Sequence, residues 1–433
     1  METYIPEGRM EYPASLLTLK ERDRRWRAIR EEMKKRQLGC LIVYGCVRGS
    51  MIAAPNVRYV TGGDGYECHC VFPIDKDPVH LVWYRAAAEA ARKMCWVDDI
   101  RVAGGLLPSY ALANCVKDLG YGEGNIGIVG VYDYFHPEGW IPYNTYTYLQ
   151  KFLPKARFYD VATMMTDIRM VKSDEEIEFA EKAAELGDMA IEVMAGEAKP
   201  GAKENQMYAD MIHTITRNGG DVGVAGSWIL MSSGSFIHQA HYFPEHRTLK
   251  PGDVILTELY PRFGGYYAHP HQPVFIGRVD RDYELCREAV LESIDAGLKA
   301  MVPGATYNEV DEAFGRAIQE RGLFHDHCSI HGVGLDSPEP PVTVMERTLP
   351  LDPKYPGYSA HKVPEAAPYV ERTTKFLAEG KIKPNMVIAV EPMAAKRVEG
   401  TLFERGVHMG PTVVTTDSRP RMLNRYGRDV IRV

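Results

Sequence analysis

The feature that most constrains how this chain folds is an internal echo in its second half. Pro200-Gly201-Ala202-Lys203-Glu204-Asn205 recurs as Pro303-Gly304-Ala305-Thr306-Tyr307-Asn308, and each copy opens a helical stretch, to about Arg217 and to about Arg321. Further on, Lys250–Glu258 (KPGDVILTE) parallels Lys383–Glu391 (KPNMVIAVE). Each begins with a Lys-Pro turn, continues as an apolar strand and places a Glu eight residues after the Lys. Helix-turn-helix followed by strand, twice and in the same order, implies two similar half-domains related by a pseudo-two-fold. Glu258 and Glu391 then face a shared cleft from opposite halves.

The first of these strands belongs to a longer unit, Lys250–Gly277. After Glu258 comes a Gly264-Gly265 bend and a return run carrying His269 and His271 before Val274-Phe275-Ile276. This reads as a β-hairpin. Strand residues two apart share a face, so His269 and His271 are expected to point the same way. One acid and two imidazoles on apolar strands are costly to bury without a purpose, which marks a site.

Three other segments bring polar groups to the same region. Ser232–Tyr242 is a polar turn with His238 and His241, Ile330–Asp336 sets His331 before a Gly-x-Gly turn, and Glu391-Pro392-Met393 is followed by Gly406-Val407-His408-Met409-Gly410. Any one of these His residues alone reads as an ordinary core or surface histidine. Two carboxylates on repeat-related strands, with His241, His269, His271 and His331 on adjacent elements, point to a catalytic or metal-binding site.

At 433 residues the chain is long for one domain, and two are expected. The first half alternates strands and helices, the pattern of an α/β layer domain. A charged helix spans 17–38, Cys40–Tyr44, Val79–Tyr84 and Asn125–Val131 read as strands, and Asn56–Gly62 (NVRYVTG) reads as another strand before Gly62-Gly63. Ser173-Asp174-Glu175-Glu176 is a capping box opening a helix over about 174–195, so the domain boundary is placed near 165. Residues 342–382, rich in Pro, Tyr and charge, read as an irregular insertion in the second repeat copy, either a lid or a packing surface. A formal net charge of -7 argues against nucleic acid or an anionic membrane as the main partner. No apolar run is long enough to span a bilayer, and the eight cysteines fit free thiols, so a cytoplasmic protein is expected. The tight Cys68-His69-Cys70 cluster lacks zinc-ribbon spacing and reads as part of a buried strand.

The sequence resembles the pita-bread superfamily of creatinase, prolidase, aminopeptidase P and methionine aminopeptidase. Asn56–Gly62 resembles the creatinase-type N-terminal domain. Arg169–Ile177 (RMVKSDEEI) resembles the R-x-x-K-S-x-x-E-I junction of the catalytic domain. Ser233–Tyr242, Lys250–Gly277, His331–Asp336 and Val390-Glu391-Pro392 follow in the family's order. The resemblance implies an α+β protein: a creatinase-like N-terminal domain over 1–165 and a pita-bread catalytic domain with its pseudo-two-fold repeat over 166–433.

The resemblance also locates a metal site, and there the chain departs from it. The family's metallopeptidases hold two divalent metals with two Asp, one His and two Glu. Glu258 stands at the first Asp position, His269 at the second, His331 at the His, Glu391 at the first Glu and Gly410 at the last Glu. Loss of anionic charge makes a two-metal peptidase an unfavourable expectation, and three readings follow. In a metal-free, creatinase-like hydrolase, His241 is the general base, Glu258 and Glu391 orient the substrate, His331 polarises the reacting carbon, and His238, His269, His271 and His408 shape the pocket. A single divalent metal held by Glu258, His269, His331 and Glu391, with His408 near, is the second reading. A non-enzymatic binding module is the third. The expected reaction is hydrolysis of a C–N bond in a small polar amidine, cyclic amide or N-substituted amino acid, with elimination as an alternative. Creatinase-like relatives are homodimers in which an N-terminal loop closes the partner's cleft. The loop carrying Tyr66 is the candidate for that role here.

Overall fold

The structure is a computed structural model that describes residues 17–45, 54–63, 68–104, 107–132, 134, 138–222, 226–240, 242–325, 327–343, 364–401 and 403–433. It divides into two compact units, Met1–Arg169 and Met170–Val433.

The first unit runs α1 (Leu19–Lys35), β1 (Cys40–Tyr44), α2 (Pro55–Thr61), β2 (His69–Pro73), β3 (Val79–Val82), α3 (Arg85–Met94), β4 (Asp99–Val102), α4 (Pro108–Asp118), β5 (Asn125–Val129), α5 (Tyr143–Phe152), β6 (Arg157–Asp160) and α6 (Ala162–Met170). The strands form one mixed sheet in the order β4-β3-β2-β1-β5-β6. β1 is buried along its whole length, which explains its unbroken apolar run. Asn56–Gly62 is a helix, not the strand its Val and Thr content suggests. Pro55 opens α2 where a missing N–H costs nothing, and Gly62 closes it at φ 80° with its N–H donated to Arg58 O. Trp26 Nε1 donates to Val60 O at 2.7 Å and fixes that short helix onto α1. Cys68 and Cys70 are buried and unbridged, and burial holds the Cys70 thiol well above its usual range.

The second unit shows the repeat directly. Its first half holds α7 (Asp174–Glu197), α8 (Glu204–Arg217), β7 (Trp228–Gly234), β8 (Val254–Tyr260), β9 (Arg262–Phe263), β10 (Tyr266–Tyr267) and β11 (Val274–Phe275). The second half holds α9 (Arg281–Ala300), α10 (Tyr307–Gln319), β12 (Ile330–Gly332), β13 (Glu339–Val342), α11 (Ala367–Glu379), β14 (Val387–Val390), β15 (Met393–Arg397), β16 (Glu404–His408), β17 (Thr412–Val414), β18 (Arg421–Met422) and β19 (Ile431–Arg432). The two larger sheets are β19-β11-β8-β7 and β13-β12-β14-β17-β18; in the first half α7 packs on α8 and α8 on β7, and in the second α9 packs on α10 and on the separate β15-β16 pair.

The two PGA turns are stapled in the same way. Gly201 N donates to Leu249 O at 2.9 Å and Leu249 N to Ala202 O at 2.8 Å; Gly304 N donates to Ile382 O at 2.9 Å and Ile382 N to Ala305 O at 2.8 Å. Gly201 and Gly304 take φ 94° and 91°, a conformation glycine adopts without strain. The Ser173 capping box is present, and its Glu176 also accepts from Tyr266 OH at 2.8 Å, tying the tip beside the Gly264-Gly265 bend to α7. The expected irregular stretch 342–382 is corrected in its last part. Ala367–Glu379 is a helix that buries Thr373 and Leu377, because its apolar residues recur at helical spacing, while 344–363 lies outside the described residues.

Candidate active site and metal centre

β8 pairs with β7 along all seven residues, and every β8 residue is buried. Glu258 projects from it opposite Leu230, and Tyr260, two residues on and so on the same face, donates its hydroxyl to Glu258 Oε2 at 3.1 Å. The return run is less regular than an ideal hairpin. Only Val274–Phe275 ladder with β8, and His271 forms separate bridges to Glu258 and to Gly410. The bridge to Gly410 joins the first half-domain to the second: His271 N donates to Gly410 O at 2.8 Å and Gly410 N to His271 O at 3.2 Å.

From the second half, β12 supplies His331 opposite Ala389 of β14, and Glu391 follows β14 with its N–H on Ser329 O at 2.9 Å. His408 ends β16 opposite Met393. Glu258, His269, His271, His331, Glu391 and His408 thus come together, each between 0% and 4% exposed.

Glu391 is the hub. Its Oε2 lies 3.5 Å from His269 Nε2, 3.3 Å from His271 Nε2 and 3.9 Å from His408 Nε2; its Oε1 lies 3.3 Å from His331 Nε2. His408 Nδ1 is 3.6 Å from Glu258 Oε1. The imidazole tautomers follow from their other nitrogens. His269 Nδ1 stands 2.9 Å from Leu259 O and His331 Nδ1 2.8 Å from Gly332 O. A carbonyl only accepts, so both Nδ1 atoms carry the proton and both Nε2 atoms present lone pairs toward Glu391. His269 Nε2 and both His271 nitrogens have no hydrogen-bond partner among the described residues.

Burial dominates the electrostatics. It holds His269 and His271 well below their usual pKa and lowers His331 to about 4. It raises Glu258 to about 8, against the Tyr260 hydrogen bond, and raises Glu391 well above the carboxylate range, with the Glu258 charge adding to the effect. Neutral imidazoles aiming lone pairs at a buried carboxyl are mutually unfavourable until a proton or a cation sits between them. The donor set fits a divalent ion: ligand atoms around one ion at about 2.1 Å stand about 3.0–3.4 Å apart, and the nearest His–Glu391 separations are 3.3–3.5 Å. Glu258, His269 and His271, and likewise His269, His331 and Glu391, hold their ligand atoms within 4.8 Å of one another. A carboxylate at position 410, the fifth ligand that the resemblance implies, has no room. A Cβ on Gly410 would stand 1.7 Å from Val390 O.

Of the other expected site residues, His238 is not in this cluster. It is half-buried, with Nε2 3.6 Å from Glu404 Oε2. His241 and Tyr66 lie outside the described residues. Three groups join the site without having been singled out in the sequence. Tyr260 also stacks between Trp228, with ring centroids 3.6 Å apart, and His269, at 4.0 Å. Cys328 donates its thiol to Glu391 Oε1, and His327 sits beside both. Period-two spacing from Glu258 could have found Tyr260, and the His-x-x-x-His spacing to His331 could have found His327.

Residues 178–417 match the model of metallopeptidase family M24, and residues 25–171 match that of the creatinase/prolidase N-terminal domain. The chain is 23% identical over 294 residues to an Xaa-Pro dipeptidase of Pyrococcus furiosus, covering 66% of this chain and 73% of that protein. It is 24% identical over 402 residues to an ectoine hydrolase of Halomonas elongata, covering 84% and 91%. Among solved structures, the prolidase from Pyrococcus horikoshii OT3 superposes with a TM-score of 0.71 at 20% identity, covering 94% of this chain and all of that one. At that identity the likeness is one of fold. No helix among the described residues is long and apolar enough to cross a membrane.

Proposed function

This chain belongs to metallopeptidase family M24, and from that premise we propose that it hydrolyses a C–N bond in a small polar amidine, cyclic amide or N-substituted amino acid, using a divalent transition ion in a rebuilt, histidine-rich site. The observation that carries the reading is the set of imidazoles on Glu391, whose Nδ1–H bonds to Leu259 O and Gly332 O leave Nε2 lone pairs facing inward. Glu258, His269, His271, His331 and Glu391, with His408 beside them, would hold the ion. When bound, such an ion polarises a carbonyl or amidine carbon and makes water more acidic. The named relatives, an Xaa-Pro dipeptidase and an ectoine hydrolase, support the bond class.

The protein's own groups divide the remaining work. Tyr260 orients the Glu258 carboxyl through its hydroxyl, and a carboxyl oriented in this way can accept a substrate N–H. Burial of the whole cluster excludes bulk water and strengthens those contacts. His241 is proposed as the general base, drawing a proton from water and returning it to the leaving nitrogen. A homodimer is the proposed assembly, checked by light scattering of the purified chain.

One observation favours a second reading, the metal-free hydrolase. Burial raises both Glu258 and Glu391, with the Glu258 charge adding to it at Glu391, so the carboxyls can hold protons and keep the cluster neutral without an ion. The deciding experiment is elemental analysis of the purified protein, together with turnover of an amidine, lactam and N-acyl amino acid panel before and after chelation. Stoichiometric metal whose removal abolishes turnover and whose return restores it is expected. Full turnover with metal far below stoichiometry would overturn the ion-dependent reading. Elimination products in place of hydrolysis products would overturn the bond chemistry.

A further inference from the structure

The two oxygens of Glu391 face different neighbours. Oε2 meets His269, His271 and His408 at 3.5, 3.3 and 3.9 Å. Oε1 meets a second set: the Cys328 thiol, which donates to it, His331 Nε2 at 3.3 Å and His327 Nδ1 at 4.0 Å. Cys328 Sγ is itself 3.4 Å from His327 Nδ1, which also stands 3.2 Å from Cys328 O and so carries the ring proton toward that carbonyl, and one ligand atom from each of His327, Cys328 and Glu391 lies within 4.8 Å of the others. The His327 ring stands 4.7 Å from that of His408, so the two sets adjoin. Cys328 is buried and unbridged.

We propose that His327, Cys328 and Glu391 Oε1 form a second cation position, sharing Glu391 with the first, and that it takes a thiophilic divalent ion such as zinc or cobalt rather than magnesium or manganese. The proposal rests on the ion-dependent reading above. A thiolate, an imidazole and one carboxylate oxygen are a soft-to-borderline donor set. The thiolate also supplies anionic charge that the family's missing carboxylates would have carried. Occupation would be balanced by two proton movements: the S–H bond would be replaced by a sulfur–metal bond, with the Cys328–Glu391 hydrogen bond given up and that proton passing to solvent, and His327 would exchange its Nδ1 proton for one on Nε2, giving up Cys328 O and freeing the Nδ1 lone pair. Glu391 would then offer Oε2 to the first ion and Oε1 to the second.

The test uses the full chain, stripped with a chelator and reloaded with cobalt(II) chloride alone, then counted by elemental analysis and examined by absorption spectroscopy. Expected are about two cobalt ions per chain, with a sulfur-to-cobalt charge-transfer band in the near ultraviolet beside the ligand-field bands. Cys328→Ser should lose the sulfur band and one ion and keep the other. Cobalt bound to the wild type with no sulfur band overturns the proposal and leaves the first site standing, as does a band that persists in Cys328→Ser. No bound cobalt overturns both readings. Should Cys328→Ser fail to fold, the wild-type spectrum still decides, and His327→Ala, expected to retain about one ion, repeats the count.

Discussion

Gly410→Ala tests how the two half-domains hold Glu391. Gly410 lies in the loop joining β16 to β17, where its backbone exchanges two hydrogen bonds with His271. A methyl group here would stand 1.7 Å from Val390 O, 2.6 Å from Val390 C and 3.3 Å from Glu391 N. An ordinary carbon–oxygen approach is about 3.3 Å, so β14 or the Gly410 loop must retreat by about 1.6 Å. The obstacle is backbone, and backbone cannot rotate away as a side chain does. Overpacking of this kind costs about 1–3 kcal/mol. The retreat also strains the Gly410–His271 pair and the Val390 N to Pro411 O bond at 3.0 Å, and each lost backbone bond adds about 1 kcal/mol. The expected sum is about 3–5 kcal/mol, or a fall of roughly 6–20 °C in Tm for a unit of this size. Glu391 follows Val390 directly, so ion affinity should fall with stability. Scanning calorimetry checks the first effect and equilibrium dialysis with zinc the second. A Gly410→Ala variant melting within about a degree of wild type, with unchanged zinc affinity, would refute the reasoning that this backbone contact excludes a side chain and positions Glu391.

Other predictions bear on separate parts of the molecule. Glu391→Gln keeps the volume but removes the hub charge, so kcat/KM should drop about 10³-fold with loss of bound metal; an active, metal-replete variant would contradict the site. Tyr260→Phe deletes the donor to Glu258 and should lower kcat about 10-fold with little change in Tm; equal kcat would show that the hydroxyl is idle. Lys172 and Glu339 form a buried ion pair that pins the β12–β13 connection beyond His331, and Lys172→Ala should cost about 3–5 kcal/mol by leaving a buried carboxylate without its ammonium. Lys172→Met/Glu339→Leu should recover most of that loss in urea titrations. In the first unit, Gly45 N donates to His69 Nδ1 at 3.2 Å, and burial, with His80 adding to it, lowers His69 to about 3 from its usual 6.5. Between those values the unfolded chain binds a proton that the folded chain does not. Stability should therefore fall as pH drops from about 6.5 toward 3, by up to about 1.4 kcal/mol per pH unit from this group. His69→Gln should flatten that slope in urea midpoints taken across the window; an identical slope would remove His69 as its source.

The sequence alone determined the features that depend on local chemistry and repetition. The PGA turns, the Lys-Pro-initiated strands and the Ser173 capping box specify their conformations through glycine, proline and a reciprocal cap, and the repeat made two half-domains necessary. It also placed Glu258 and Glu391 as counterparts and named His269, His271, His331 and His408. Local propensity failed at Asn56–Gly62, where flanking Pro55 and Gly62 outweighed β-branched content, and at Ala367–Glu379, where a buried helical face lay inside a segment read as irregular.

Only the tertiary structure decided how the site groups relate. Which oxygen of Glu391 each imidazole meets, and which ring nitrogen carries its proton, follow from carbonyls of Leu259 and Gly332 that have no signature in side-chain sequence. The approach of the Cys328 thiol to Glu391 joins residues 63 positions apart, and a lone cysteine in sequence does not announce such a partner. Gly410 is the clearest case. In sequence it reads as a lost ligand; in the fold it is where Val390 O comes too close for any side chain, so the space a carboxylate would need is filled by the backbone that holds Glu391 in place.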